Sequence, residues 1–434
     1  MKRIFVTGFL ACALMSATFT SCGDDDPISY IPEEEGEEIP SGGLLAMYPD
    51  GPLKKVINRD KYPNFLLACG VEDGDFTNPN SKFYSIVPEN YDEISAGNAM
   101  KYASCVDWNG NLHFDHVKKF IDRAKEQGIK VYGHTLAWHS QQQMNYLKGL
   151  VDKQNTADGK KEALVNELDR WIGGMMKACN GYVTSWDAVN EPISGADKDK
   201  DGKYDLQDYD NSADHNYNNE KSNFYWQHFL GSEDYVPIVI NLARKHFEAN
   251  GGDPDKLKLF VNDYNLESFW DNNMKAKSMA AWVKVWEAQG CKIDGIGTQM
   301  HLSCYENPEY EASSRKHITQ MFQILAATGK LIRISELDMG FNNSTTSMHA
   351  GGLKYNQLTA KQKQLMADKY EWIYKEYFRV VPKKQQYGIC QWAITDSPDN
   401  SGWRPSEPLG LWTLDFKKKP AFYGTLKGLA EATR

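Results

Sequence analysis

Two acidic residues stand where strand-like runs of this chain end. In Ser185-Trp186-Asp187-Ala188-Val189-Asn190-Glu191-Pro192, a run of strand formers closes on an Asn-Glu pair and is stopped by proline. Far downstream, Leu331-Ile332-Arg333-Ile334-Ser335-Glu336-Leu337-Asp338 closes in the same way on Glu336. One carboxylic acid with an amide beside it, and a second carboxyl on another strand tip, are the least apparatus that can cleave a glycosidic bond. In a parallel barrel, catalytic groups sit at that end of the strands.

Other polar and aromatic residues fall at strand ends too. Tyr132-Gly133-His134-Thr135-Leu136-Ala137-Trp138-His139-Ser140-Gln141 ends a third strand, and Val261-Asn262-Asp263-Tyr264-Asn265 a fifth. A sixth ends Gly297-Thr298-Gln299-Met300-His301, and an eighth Gln391-Trp392-Ala393-Ile394-Thr395-Asp396. One such His or Trp alone would be an ordinary core or surface residue. Six rims of the same character point to a shared site.

The elements that must hold these rims have a regular rhythm. Val117, Phe120, Ile121 and Ala124 share a helical face; Gly128 stops the helix; a strand follows from Lys130. Val236, Ile240, Ala243 and Phe247 before Gly251 repeat the pattern, as do Met279, Trp282, Val283 and Trp286 before Gly290. Ile318, Met321, Phe322 and Leu325 before Gly329 give a fourth case. Helical spacing, a glycine cap and a short apolar strand make a βα unit. Strands without clean alternation suit a parallel sheet covered on both faces. Further strands are expected at Phe65–Cys69, Phe83–Val87, Val183–Val189 and Tyr387–Trp392, which brings the total to eight. The fold class that fits is α/β, a (β/α)8 TIM barrel in a single catalytic domain. The rival, a doubly wound open sheet, usually carries a glycine-rich phosphate loop after an early strand. Neither GxGxxG nor a Walker sequence is present.

The 434 residues carry a net charge of −9, which argues against a nucleic-acid partner, because phosphate binding needs a basic surface. Residues 1–21 read as a signal peptide: Lys2 and Arg3, then an apolar run too short for a comfortable membrane span. It ends at Phe19-Thr20-Ser21-Cys22, which resembles a lipobox, so Cys22 is the expected lipidation site of an outer-membrane lipoprotein. An ordinary cleaved secretory signal is the other reading. Residues 22–44 are acidic and proline-bearing and read as a disordered tether. Acid directly after such a cysteine resembles the surface-export signal of Bacteroidetes lipoproteins, which implies a cell-surface address; a plain solvated linker is the alternative. Residues 45–434 form the catalytic domain, with an acidic insertion at about 195–222. Beyond Cys12 and Cys22, six cysteines remain, without metal-type spacing, and are expected to be buried free thiols.

The strings GHTLAWHSQ, SWDAVNEP, VNDYN, GTQMHL, ISELDM and QWAITD, in that order, resemble glycoside hydrolase family 10, the endo-β-1,4-xylanases. The likeness runs from about Phe65 to Lys419-Pro420-Ala421-Phe422-Tyr423. It implies a substrate of xylan or xylo-oligosaccharides, retention of configuration, and no cofactor for the chemistry. Glu191 would be the acid and then the base, and Glu336 the nucleophile. Retention needs the two carboxyls roughly 5–5.5 Å apart. Asn190 would bond the sugar 2-hydroxyl, His301 would contact the nucleophile, Asp338 would orient that His, and Gln299 would lie beside them. His134, Trp138 and Gln141 would line the glycone side. Tyr264 would be a further substrate contact, and Trp392 with Trp403 would offer flat rings to a pyranose face. Asn98 and Lys101 match the family's ENxMK string, but Gly97 stands where that string has glutamate, which puts the distal glycone contacts in doubt. Glu89-Asn90 is an alternative match; Met100-Lys101 at the right spacing favours Gly97-Asn98.

After the fourth strand, Asp197 to Asp208 follows the DxDxDG pattern of a calcium loop. Asp197, Asp199, Asp201, Asp205 and Asp208 stand at the ligand positions and Gly202 at the sixth place. A structural Ca²⁺ there would brace the rim beside Glu191; a solvated acidic insertion is the alternative.

Overall fold

The computed structural model describes residues 43–210, 223–348 and 352–434. Cys22 and residues 1–42 lie outside the described residues, as do 211–222 of the insertion. Nine parallel strands follow in order: β1 (Leu66–Val71), β2 (Glu93–Ala96), β3 (Lys130–Ala137), β4 (Ser185–Asn190), β5 (Lys258–Asp263), β6 (Gly295–Thr298), β7 (His301–Tyr305), β8 (Leu331–Asn342) and β9 (Gln386–Gln391). β1 to β6 pair in sequence order, β1 pairs with β9, β9 with β8, and β8 with β6. The sheet therefore closes on eight strands as a (β/α)8 barrel. β7 pairs only with the second half of β8, from His301↔Asp338 to Tyr305↔Asn342.

The helices between the strands form where the apolar periodicity puts them. Asp115–Glu126, Tyr235–Ala249, Met274–Ala288 and Pro308–Ala326 turn their apolar faces onto the barrel. Each fully covered Val, Leu, Ile or Phe contributes about 1.5–3 kcal/mol. The last of these helices has a well-made start. Asn307 accepts from the backbone N–H groups of Glu309 and Tyr310, and Pro308 sits where no amide hydrogen is needed. Gly128 and Gly329 leave their helices at φ 62° and 73°, a conformation glycine adopts without penalty.

One expected strand is a helix. Phe83–Val87 lies in the helix Phe83–Asn90, and the second strand is Glu93–Ala96. The aromatic and β-branched run suggested a strand, while the true strand, Glu-Ile-Ser-Ala, is half polar. Its polarity has a cause inside the barrel. Arg333 on β8 reaches across and donates to Glu93 (3.1 Å) and Ser95 (3.2 Å). The guanidinium lies 3.5 Å from the centre of the Tyr132 ring, and Tyr387 donates to the other Glu93 oxygen (2.7 Å). The helix tolerates Pro88 because Arg123 donates to the Tyr84 carbonyl (3.3 Å), the group that proline leaves without a partner.

Cys69, Cys105, Cys179, Cys291, Cys304 and Cys390 are all buried free thiols. Burial pushes each of them above the ordinary thiol range.

The interior pair gives a direct stability test. Glu93→Ala strands the Arg333 charge and is expected to cost about 3–5 kcal/mol in urea unfolding. The double variant Glu93→Leu/Arg333→Met removes both charges and should recover most of that loss.

Candidate active site

Glu191 follows the last residue of β4 at φ 54°. A non-glycine residue held there stores about 1–3 kcal/mol. Its amide is fixed by donating to the Asn262 carbonyl on β5 (2.7 Å). Around the carboxyl stand neutral donors: Trp138 Nε1 at 2.8 Å from Oε2, and Gln299 Nε2 at 2.9 Å from Oε1. Burial raises the pKa of Glu191, and the negative charges of Asp263 and Glu336 add to it; the Gln299 and Trp138 hydrogen bonds only moderate the rise.

Glu336, within β8, has the opposite setting. Asn262 Nδ2 donates to its Oε1 (2.9 Å), and His301 Nε2 lies 3.5 Å from its Oε2. Burial would raise this carboxyl, but His301, with His134 and Lys101 beside it, outweighs burial and holds it below its ordinary value. His301 is itself kept charged. Burial disfavours the imidazolium, yet Asp338, 3.0 Å from Nδ1, and Glu336 push its pKa up to about 10. Asp338 is fully buried and receives Trp403 Nε1 (2.8 Å) and Arg404 Nη1 (2.9 Å).

Asn262 couples the two carboxyls. It is fully buried, and Ser335 Oγ donates to its Oδ1 (2.6 Å). Its Nδ2 is shared between Asn190 Oδ1 and Glu336 Oε1, both at 2.9 Å. The acid's neighbour and the nucleophile thus hang from one amide.

Both carboxyls open into one cleft of about 1110 Å³ at the C-terminal mouth of the barrel. The cleft also draws in Asn98, Lys101, His134, Trp138, Gln141, Asn190, Tyr264, Gln299, His301, Trp392 and Trp403. Asp338 stands behind this wall. His134 is oriented by Asp187 (Nδ1 to Oδ2, 2.8 Å), which also accepts from Tyr132 (2.7 Å). Trp392 meets the His134 ring edge-on at 5.5 Å and lies so close to β1 that a Cβ at Gly70 would be 2.9 Å from the indole. Tyr264 covers the buried Lys275–Asp263 pair, with the ammonium 3.4 Å from its ring centre. Asn90, the alternative to Asn98, is buried away from the cleft and accepts from the Leu53 amide (3.1 Å).

Residues 57–428 match the family model of glycosyl hydrolase family 10. The chain belongs to this family. It is 29% identical over 81% of its length to the endo-β-1,4-xylanase Xyn10C of Cellvibrio japonicus, and 28% identical over 79% to endo-1,4-β-xylanase A of Thermoanaerobacterium saccharolyticum. It spans 53% and 25% of those two proteins. A mutant of Cellvibrio japonicus xylanase 10C in complex with xylopentaose superposes with a TM-score of 0.66 at 26% identity, over 86% of this chain and 69% of that one.

Sequence reading did not single out Asn262, Arg404 or Glu72 as site residues. Asn262 had a signal, as the first polar residue of a strand-tip string. Arg404 and Glu72 had none, since their partners are set by the fold. Three of the five calcium-loop acids stand together. Asp197, Asp199 and Asp201 each offer an oxygen within 4.8 Å of the others and could hold a cation together. Asp205 and Asp208 stand outside that group. Asp205 accepts from the Lys198 amide (2.9 Å), and Asp208 pairs with His228 (2.8 Å). The cause is that the chain after Gly202 runs back to bridge Leu206 with Ile193, where an EF-hand would enter a helix. Through that return Gln207 reaches the Glu191 carbonyl (3.1 Å), so the insertion does brace the acid's rim.

These environments fix the pH behaviour. Gln299→Leu removes a donor that favours ionised Glu191, so its pKa rises and the alkaline limb of kcat/KM for glycoside cleavage moves to higher pH. His301→Gln removes the cation that favours ionised Glu336, so the acid limb also moves to higher pH. A pH–rate profile that moves at neither limb would contradict both assignments.

Proposed function

We propose that the chain is a retaining endo-β-1,4-xylanase that hydrolyses internal bonds of xylan by double displacement. The observation that carries this reading is the pair of buried carboxyls in one open cleft whose pKa values are driven apart, Glu191 up and Glu336 down. In the first step Glu336 attacks the anomeric carbon while Glu191 gives its proton to the departing glycosidic oxygen. The products are a glycosyl ester on Glu336 and a free reducing-side fragment. Esterification removes the negative charge of Glu336, one of the causes that keep Glu191 protonated, so the Glu191 pKa falls and the group stays ionised, ready to take a proton from water. That water attacks the anomeric carbon from the side the leaving group vacated. Glu336 departs as carboxylate, and the configuration is retained. Asn190 beside the pair would bond the 2-hydroxyl, and His301 keeps Glu336 ionised at the start of each turnover.

The names of the two xylanases and the xylopentaose complex support xylan over other β-glycans. The open cleft supports attack within a chain. The address is part of the same proposal: acylation at Cys22 with an acidic tether would present the barrel at the outer cell surface, a reading that rests on the sequence alone.

The purified protein is to be incubated with xylan, mixed-linkage β-glucan and mannan, with Glu336→Ala in parallel. Short xylo-oligosaccharides are expected from the wild type only, with the β-anomer as the first product by proton NMR. Glu191→Ala should lower kcat by about 10²–10⁴-fold. Binding of xylan without cleavage by the wild type would indicate a binding protein, and an α-anomer first would overturn retention.

A further inference from the structure

Glu72 follows directly on β1, and Gly97 directly on β2. Val71 and Ala96 are register partners, and the Gly97 amide donates to the Val71 carbonyl (3.0 Å), so Glu72 and Gly97 lie side by side at the barrel mouth. The Glu72 side chain lies across the glycine. A Cβ at position 97 would stand 2.2 Å from Glu72 Oε1 and 2.8 Å from its carboxyl carbon. The space that a side chain at 97 would fill is held by a carboxylate from the neighbouring strand.

That carboxylate ends a row of polar groups along the cleft wall. Asn98 Nδ2 donates to Glu72 Oε1 (2.9 Å). Asn98 Oδ1 in turn accepts from Lys101 Nζ (3.1 Å) and Gln141 Nε2 (3.0 Å). All four residues line the cleft. Glu72 is exposed, and among the described residues no lysine, arginine or histidine forms a close ion pair with it. Lys101 Nζ lies 5.0 Å from the centre of the Trp138 ring, whose Nε1 donates to Glu191, so the row runs up to the catalytic pair.

We infer that Glu72 is a substrate-binding residue of the cleft, accepting hydroxyl protons from the sugar ring next to the one that Glu336 attacks, on the non-reducing side. The inference rests on the xylanase reading proposed above. A carboxylate beside an amide and an ammonium offers acceptors and donors side by side, the complement of vicinal equatorial hydroxyls. Glycine at 97, where the family string carries glutamate, is then the condition that lets Glu72 occupy the place. The function of the missing side chain moves from β2 to β1.

The test compares an aryl xylobioside with an aryl xyloside, and xylotetraose binding by calorimetry in a Glu336→Ala background. Glu72→Gln keeps an acceptor for Asn98 but replaces an oxygen facing the cleft by a donor. It is expected to lower the xylobioside-to-xyloside ratio of kcat/KM, and to weaken xylotetraose, by about 10–100-fold. Gly97→Ala pushes the Glu72 carboxylate aside and should reproduce both effects with an unmoved melting temperature. The swap Glu72→Gly/Gly97→Glu should restore them. Equal losses on both aryl glycosides, or xylotetraose binding unchanged in Glu72→Gln, would overturn the inference. Wild-type protein that cleaves neither glycoside would overturn the xylanase reading, and Glu72 would still be judged on whether the titration changes.

Discussion

The constraint on which the rest depends is that two buried carboxyl groups share one cleft and only one of them is to be ionised. Burial drives both toward the neutral form, so Glu336 needs positive neighbours strong enough to outweigh it, while at Glu191 burial must prevail. The structure supplies one through a line of alternating charge. Glu336 faces His301, His301 faces Asp338, Asp338 faces Arg404, and Arg404 faces Glu407 (2.7 Å) near the surface. Each buried ion is compensated by the next, which is what makes several burials in a row tolerable. Glu191 is kept apart from that line. Its close donors are an indole and an amide; His139 Nε2 stands farther off, 3.8 Å from Oε2, and the negative charges of Asp263 and Glu336 add to the rise that burial causes.

Backbone conformation follows the same demand. Gln141, Glu191, Asn265, Met300 and Arg404 all adopt left-handed φ, between 41° and 59°, and all lie on the loops around the cleft. Five such residues at one mouth are a concentration of backbone cost at the place where side chains must turn back over the barrel. The opposite end of the barrel is filled by rings and by the Arg333–Glu93 pair, which packs between Tyr132, Phe260 and Tyr387. Chemistry and stability are thus separated along the barrel axis.

How much of this was legible depended on whether the partners were neighbours in sequence. Glu191, Glu336, His301 and Trp138 stood out because each belongs to a contiguous string that ends a strand, and a strand tip is recognisable from local pattern. The helices with glycine caps were legible for the same reason. β2 was not, because its polarity answers to Arg333 some 240 positions away. Without that partner in view, the aromatic run at Phe83 made the better strand. Glu72 and Gly97 become a pair only through the β1–β2 register, and Arg404 becomes part of the site only when its loop folds against Asp338. The Asp-rich insertion shows the converse: its spacing was a true local pattern, but the Ile193–Leu206 bridge, a tertiary contact, sends its last two acids elsewhere.

The break between β6 and β7 shows how a single rim can serve both carboxyls. β6 ends at Thr298; Met300 turns at φ 52°, buried; and β7 begins at His301 along the outer half of β8. Had the strand run on unbroken, Gln299 and His301 would have pointed the same way, because residues two apart share a face. The turn sends them to different targets, Gln299 to Glu191 and His301 to Glu336. The order matters electrostatically. A neutral amide can hold the acid in place without ionising it, whereas a cation there would pull its pKa down and remove the proton that the first step needs. The cation belongs two residues later, and the bent backbone is what allows three consecutive positions to contain both.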